Sequence, residues 1–339
     1  MGAVQRRRLA SLGVGLVAAA LIVWGGRSRA EPVVEIVATG VPRPLEIAVA
    51  GRALVVLGPG SRGDVAGEVY RVPLDGERVD VARLPRIRLP FVDDRMATLG
   101  SLVVDAQSGD LYLGEENGQR IYRLDRDDRL TLFATGLRRL MGGSTLTLDA
   151  DARLIVVDHI DPRLSPDDQP VVPGLEDLRD EDYRGPLIFR LPLDRNLPAP
   201  RRLTLLAPLY PRGWGGKAGG ALLPRFVAVT PLGGDALALL SSTGQLFRLE
   251  ADGVLRPFAT LPAGQYHRVH MVAARDGTIY VSGGFWVGRL YAVTPAGIVR
   301  VVAARLGDPQ GIALASDGSL YVAESALHRI VRLSPKVEQ

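Results

Sequence analysis

Six short stretches of the chain, Val69-Tyr70-Arg71-Val72, Ile121-Tyr122-Arg123-Leu124, Ile188-Phe189-Arg190-Leu191, Leu246-Phe247-Arg248-Leu249, Leu290-Tyr291-Ala292-Val293 and Ile330-Val331-Arg332-Leu333, repeat one pattern. An aliphatic residue is followed by a ring in most copies, by arginine in most copies, and by a second aliphatic. Alternation of this kind predicts a half-buried strand, with the aliphatics on one face and ring and guanidinium on the other. The copies begin 52, 67, 58, 44 and 40 residues apart. That is near the length of a four-stranded propeller blade, and the longer intervals mark insertions. Upstream of each copy come an apolar strand, a turn and a second strand, as in Gly311-Ile312-Ala313-Leu314-Ala315, Ser316-Asp317-Gly318 and Leu320-Tyr321-Val322-Ala323. Downstream comes one more, such as Leu130-Thr131-Leu132-Phe133-Ala134 or Ile298-Val299-Arg300-Val301-Val302. Asp317-Gly318, Asp276-Gly277 and Asp151-Ala152 supply residues that tolerate positive φ in the hairpin joining the first two strands.

The last unit ends at Ser334-Pro335-Lys336 one strand short, while Val33-Val34-Glu35-Ile36-Val37-Ala38 has no unit of its own. The second should complete the first. The expected fold is therefore all-β, a single six-bladed β-propeller over residues 31–339 with four-stranded blades, the last closed by the N-terminal strand so that only short edges stay open. The 39 Gly and 24 Pro among 339 residues suit many short elements joined by tight turns.

Two units carry a more specific likeness. Asp110-Leu111-Tyr112-Leu113-Gly114-Glu115 through Gln119-Arg120-Ile121-Tyr122-Arg123-Leu124, and Ser319-Leu320-Tyr321-Val322-Ala323-Glu324 through His328-Arg329-Ile330-Val331-Arg332-Leu333, resemble NHL-type repeats. The whole arrangement also resembles the six-bladed SMP-30/gluconolactonase-like proteins with their TolB-like propeller. The resemblance covers residues 31–339 at the level of blades and is motif-deep in these two units. It implies a fold used by metal-dependent lactonases, lyases and plain binding scaffolds, so the shared fold does not choose a function. The resembled family presents a Glu before Gly-Pro in the first blade and Asn or Asp in later ones. This chain departs from that pattern, with Pro42-Arg43-Pro44-Leu45-Glu46 in its first blade and Gln310-Gly311 in its last.

Composition removes several kinds of chemistry. There is no cysteine, which excludes disulfides, thiolate metal sites, iron–sulfur clusters and a Cys nucleophile. The net charge is +4, but Arg6, Arg7, Arg8, Arg27 and Arg29 all lie within residues 1–30, which hold no acid. The remainder is close to neutral and has no basic stripe with interleaved aromatics, so nucleic acid is not an expected partner. Residues 1–30 read as an export signal, with a basic start, the uncharged apolar stretch Leu9 to Gly26, and small residues Ser28 and Ala30 before Glu31. Cleavage after Ala30 yields a periplasmic or extracellular protein. Left uncleaved, residues 9–26 are just long enough to anchor it in the inner membrane, the only membrane contact expected.

In a propeller the innermost strands line a central channel, and the loops leading into them converge on one face. Aligning the first strands gives a ring of leading positions, Glu46, Ser101, Ser144 with Thr145, Arg225, His270 with nearby His267, and Gln310. With Trp286, on a loop of the same face, these are the candidate ligand-binding residues. A small molecule or a protein is the expected partner there, and the same groups also suit the plain polar lining of a wet channel. Glu46, His270 and Gln310 are the candidate ligands for a divalent metal ion, although a single carboxylate is little charge for Ca²⁺ or Mg²⁺. The leading expectation is non-catalytic binding at the channel face. The alternative is a metal-assisted lactone or ester hydrolase with His267 as general base. A quinone-cofactor dehydrogenase is a third option, favoured only by Arg225 and the histidines.

Two insertions are expected on this face: the acidic, Pro-rich stretch from His159 to Gly185, and Tyr210-Pro211-Arg212-Gly213-Trp214-Gly215-Gly216-Lys217-Ala218-Gly219-Gly220. The first reads as a lid or partner-docking loop or as a solvated acidic insertion, and the second, which lacks the context of a phosphate loop, as a flexible lid. His159 beside Asp158 and Asp161 is a further ligand-type cluster. Glu115 with Arg120 and Glu324 with Arg329 recur with the repeat and are expected to be structural ion pairs. No G-x-S-x-G elbow is present, which argues against a serine hydrolase.

Overall fold

The computed structural model of the protein describes residues 33–334, apart from 60–62, 138–139, 141, 159–186, 195, 198, 201–203, 206–225 and 252–253. Residues 1–30, Arg225, His159 with Asp161, and both insertions lie outside the described residues. Among the described residues no helix is long and apolar enough to cross a membrane.

Six antiparallel sheets follow one another along the chain. From inner to outer strand, blade 1 comprises Glu46–Ala50, Ala53–Gly58, Gly67–Pro73 and Arg86–Leu89. Blade 2 comprises Leu99–Val104, Leu111–Glu115, Arg120–Leu124 and Leu130–Thr135. Blade 3 comprises Leu146–Leu148, Arg153–Asp158, Leu187–Pro192 and Thr204–Leu205. Blade 4 comprises Phe226–Gly233, Ala236–Ser241, Gln245–Leu249 and Leu255–Thr260. Blade 5 comprises Met271–Ala273, Ile279–Ser282, Arg289–Val293 and Val299–Ala304. Blade 6 takes Pro309–Leu314, Leu320–Glu324 and Arg329–Ser334 from the C-terminal part of the chain and Val33–Thr39 from its N-terminal part. The inner strands touch pairwise around the ring, with blade 6 against blade 1.

Closure by the N-terminal strand is as the strand count expects. Val34 pairs with Leu333 and Ile36 with Val331, and after a bulge Ala38 pairs with Ile330. Blade 6 departs from four strands in one respect. Val79–Asp80, from the loop before the outer strand of blade 1, adds a short parallel pairing to Ala38 and Thr39. The edge left by the closing strand is thereby partly covered.

The repeated motif forms the third strand of every blade, but the expected half-buried strand is corrected. Sheets stacked around a ring are covered on both faces, so both faces of this strand are apolar. The first aliphatic enters the core shared with the following blade, and the ring and last aliphatic enter the core shared with the preceding one. Ile121 packs with Leu154 and Phe189 of blade 3, for example, while Tyr122 and Leu124 pack with Leu57 and Val69 of blade 1. In blades 2, 3 and 6 the motif arginine sits beside an acid of the first hairpin, as in Arg123 Nε to Asp110 at 2.7 Å, Arg190 Nε to Asp149 at 3.4 Å and Arg332 NH2 to Asp317 at 3.3 Å, whereas Arg71 and Arg248 pair with Asp128 and Glu250. The hairpin aspartates also bind backbone N–H groups two residues on, as Asp317 does with Ser319 and Asp276 with Thr278.

Candidate functional site

Because strands alternate in direction, the loops leading into the inner strands and the loops joining second to third strands share one face. The inner strands of blades 3 and 5 have 3 residues each, against 8 in blade 4. The segments leading into those two short strands leave the sheet early and run across the mouth of the channel. Ser144 N–H, from blade 3, donates to Val269 O of blade 5 at 3.0 Å. At Gly143, which has φ +107°, a Cβ would lie 2.7 Å from that same carbonyl oxygen, so only glycine permits the approach.

The blade 5 segment then reaches blade 1. His270 Nδ1 is hydrogen-bonded to Glu46 Oε2, and His270 N–H donates to Ser282 Oγ at 2.8 Å. Glu46 is 1% exposed, and the His270 side chain is 14% exposed. Burial pushes the Glu46 carboxyl above its usual range, while the charge of His270 and the hydrogen bond to it pull the other way. With Glu46 ionised, Nδ1–H donates, and the lone pair is left on Nε2. Gln310 lies on the inner strand of blade 6, the blade between these two, and is 1% exposed.

The ring therefore divides. Blades 5, 6 and 1 contribute His270, Gln310 and Glu46. Blades 2 and 3 contribute hydroxyls already engaged with the fold: Ser101 Oγ lies 3.0 Å from Thr145 Oγ1, and Ser144 Oγ donates to Val229 O at 3.0 Å. His267 and Trp286 stand at the rim with ring centroids 5.6 Å apart, and Trp286 is 59% exposed. Burial, and then Arg268, push the His267 imidazole below its ordinary value, with Glu116 opposing them. A neutral His267 beside an exposed indole offers a surface for a flat or ring-shaped ligand.

Glu46 is engaged with His270 Nδ1, which leaves His270 Nε2 as the open nitrogen of the pair, and among the described residues no group of three or more His, Asp or Glu side chains is arranged to hold a metal.

Sequence reasoning did not single out Arg268 and Glu116, which bond to each other across the channel mouth. The doubled acid Glu115-Glu116 was the available signal. Glu115 turns inward and accepts from the N–H groups of Ala97, Gln119 and Arg120 and from Tyr122 OH. The expected Glu115–Arg120 ion pair is thus corrected, since the Arg120 guanidinium goes to Asp93 at 2.7 Å. Glu324 does pair with Arg329, and also accepts Gly307 N–H at 2.8 Å.

No protein-family model and no curated protein sequence matches the chain. Solved structures do. A gluconolactonase from Xanthomonas campestris superposes with a TM-score of 0.57 at 16% identity, covering 88% of this chain and 88% of that one. Virginiamycin B lyase from Staphylococcus aureus gives 0.52 at 12% identity, over 90% of this chain and 86% of that one. An oxidoreductase described as a glucose dehydrogenase, from a Thermus species, gives 0.55 at 16% identity, over 89% and 100%. The fold is that of the gluconolactonase-like propellers. Three chemistries on one frame leave the function to the site itself.

Proposed function

We propose that the channel face binds a small organic molecule outside the cytoplasm, and that His270, oriented by Glu46, moves a proton there during cleavage of a lactone or related ester. The observation that carries this reading is the buried carboxylate held against His270 Nδ1. Such a partner fixes the tautomer and orientation of an imidazole and stabilises its protonated form. His270 Nε2 takes a proton from water as the water oxygen adds to the carbonyl carbon. It returns that proton to the ring oxygen as the acyl C–O bond breaks, leaving a hydroxy acid. The names gluconolactonase and lyase among the structural neighbours support the substrate class only at 16% and 12% identity. The basic and apolar character of residues 1–30 supports export.

A second reading, binding without turnover, is favoured by Trp286, whose exposed indole beside His267 suits the capture of a ring-shaped ligand. A panel of lactones and esters, run with the parent protein, His270→Ala and Glu46→Gln, separates the two. Turnover that falls about 100-fold or more in His270→Ala, and less in Glu46→Gln, supports general-base catalysis. Ligand binding with no turnover anywhere in the panel leaves the binding reading. Turnover unaffected by either substitution ends the proposed role of the pair.

A further inference from the structure

The connections from third to fourth strands lie on the face opposite the channel mouth, and those of blades 4 and 5 depart from that of blade 2. In each, the residue after the third strand donates its N–H across the turn. Asp125 donates to Arg129 O at 3.1 Å in blade 2, Glu250 to Val254 O at 3.0 Å in blade 4, and Thr294 to Ile298 O at 3.0 Å in blade 5. The accepting residue faces solvent. Blade 2 fills that place with an exposed arginine, whereas Val254 is 38% and Ile298 60% exposed. Blade 6 adds Val34, 49% exposed, near the start of its outer strand. The three outer edges adjoin, since a Cβ on Gly297 of blade 5 would collide with Phe258 O of blade 4, and Val302 and Ile36 pack against the one core between blades 5 and 6. Single exposed aliphatics are ordinary, but a matched place filled by them in neighbouring blades makes an apolar row.

The same stretch is basic. From Val254 to Leu306 the sequence holds Arg256, Arg268, Arg275, Arg289, Arg300 and Arg305 against the single acid Asp276. Arg256 and Arg300 stand at matching places, two residues beyond Val254 and Ile298, and both are exposed. Glu250, the described acid nearest Arg256 in sequence, lies 3.0 Å from Arg248. In blade 6 the matching place is Glu35, whose carboxylate lies 4.0 Å from Arg332, so the open cations are those of blades 4 and 5. The chain also enters the body on this side. Six residues, Arg27 and Arg29 among them, separate Gly26 at the end of the apolar stretch from Val33 at the start of the blade 6 outer strand.

We propose that the outer edge of blades 4 to 6, on the face opposite the channel mouth, docks the protein onto an anionic lipid bilayer. Arg256 and Arg300 meet lipid phosphates, while Val254, Ile298 and Val34 enter the boundary between headgroups and acyl chains. A row spread over three blades fits a plane, and guanidinium beside aliphatic is the pairing that an anionic interface rewards. The channel mouth then points away from the bilayer, open to solutes. This assignment holds whatever the channel face binds.

The sequence has no cysteine, so one introduced thiol carries a polarity-sensitive fluorophore at a known place. The full chain is labelled at Ile298→Cys or, for comparison, at Phe91→Cys, whose native side chain is exposed on a loop of the channel face. Each is titrated with vesicles of mixed phosphatidylglycerol and phosphatidylcholine, and with phosphatidylcholine alone. The expected result is a blue shift from the Ile298→Cys label at a lipid concentration at least tenfold lower with phosphatidylglycerol than without it, and no shift from the Phe91→Cys label. Reversing both charges, Arg256→Glu with Arg300→Glu, raises the lipid required by roughly tenfold or more, and about 0.5 M NaCl weakens binding in the same direction. The salt arm needs no charge reversal, so the test stands even where that variant melts early. No shift from the Ile298→Cys label, equal shifts from the two labels, or a shift indifferent to both salt and charge reversal overturns the proposal. A shift that grows with protein concentration in the absence of lipid gives the edge to a second copy of the chain and overturns it as well.

Discussion

Arg268 of blade 5 donates from Nε to Glu116 Oε1 of blade 2 at 2.9 Å, joining blades that lie opposite each other in the ring of six. Both side chains are largely withdrawn from solvent, so removing one strands a charge at the channel mouth. Arg268→Ala should cost about 2–3 kcal/mol in urea unfolding, below the full penalty for a completely buried pair. The double variant Arg268→Ala, Glu116→Gln should recover part of that loss. A single variant within about 0.5 kcal/mol of the parent shows that the pair holds nothing together.

The frame of this protein was legible because each blade repeats Tyr122-like and Leu124-like residues at fixed places, and because Val33 to Ala38 was left over when strands were counted. The expectation that both aliphatics share one face is wrong: Ile121 and Leu124 are three residues apart and so face opposite cores, Leu124 with Tyr122, and the period of two does not say that both faces are covered. The leading positions were legible for the same reason as the strands. Glu46, His270 and Gln310 follow from alignment of the first strands, whereas Arg268 and Glu116 sit in loops whose path depends on how early blades 3 and 5 abandon their inner strands. No periodicity carries that information.

His267 makes stability depend on pH on the acid side. Its imidazole is held below the ordinary value of 6.5 by burial and by Arg268, against the opposing charge of Glu116. The unfolded chain therefore binds a proton that the folded chain refuses. The contribution is complete above about pH 6.5 and is lost as pH falls through the lowered folded value. Glu46, raised by burial, contributes with the opposite sign, fully below its ordinary value of 4.5 and less as pH rises through the raised one. Melting temperatures between pH 7.5 and 5 should fall less steeply in His267→Gln than in the parent, and identical slopes would remove His267 from the account.

At Gly311 the inner strands of blades 6 and 1 lie in close approach. A Cβ there meets backbone atoms of Glu46 and Ile47 at 2.7 Å, and backbone cannot step aside as a side chain can. Gly311→Ala should destabilise the protein by about 1–3 kcal/mol, the usual penalty for overpacking. It should also displace Glu46 from His270 and reduce any turnover. Gly76→Ala, where nothing lies within 4 Å, is the matched control and should stay within about 0.5 kcal/mol of the parent. Similar melts for the two variants rule out the tight approach at Gly311.

Ring closure joins the two ends of the chain, since blade 6 is completed by the strand Val33–Thr39 at the far end of the chain from Arg329–Ser334. Removing residues 31–40 takes away that ladder, the buried Ala38 and the partly buried Val37 of the core shared by blades 6 and 1, and the partner of Val79–Asp80. It also leaves Arg329–Ser334 as an open edge for pairing between molecules. The expected outcome, measured with residues 335–339 removed as the comparison, is aggregation or a melting temperature lower by on the order of 10 °C, because the loss spans several hydrogen bonds and a stretch of core at once. The shorter truncation removes no described strand and should melt with the parent. Since Glu46 opens the first strand after this closure and Gln310 lies in the blade it completes, whatever the deleted protein still folds should bind no channel-face ligand. Equal melting of the two truncated proteins means that blade 6 stands without its N-terminal strand and that the ring is held by other contacts.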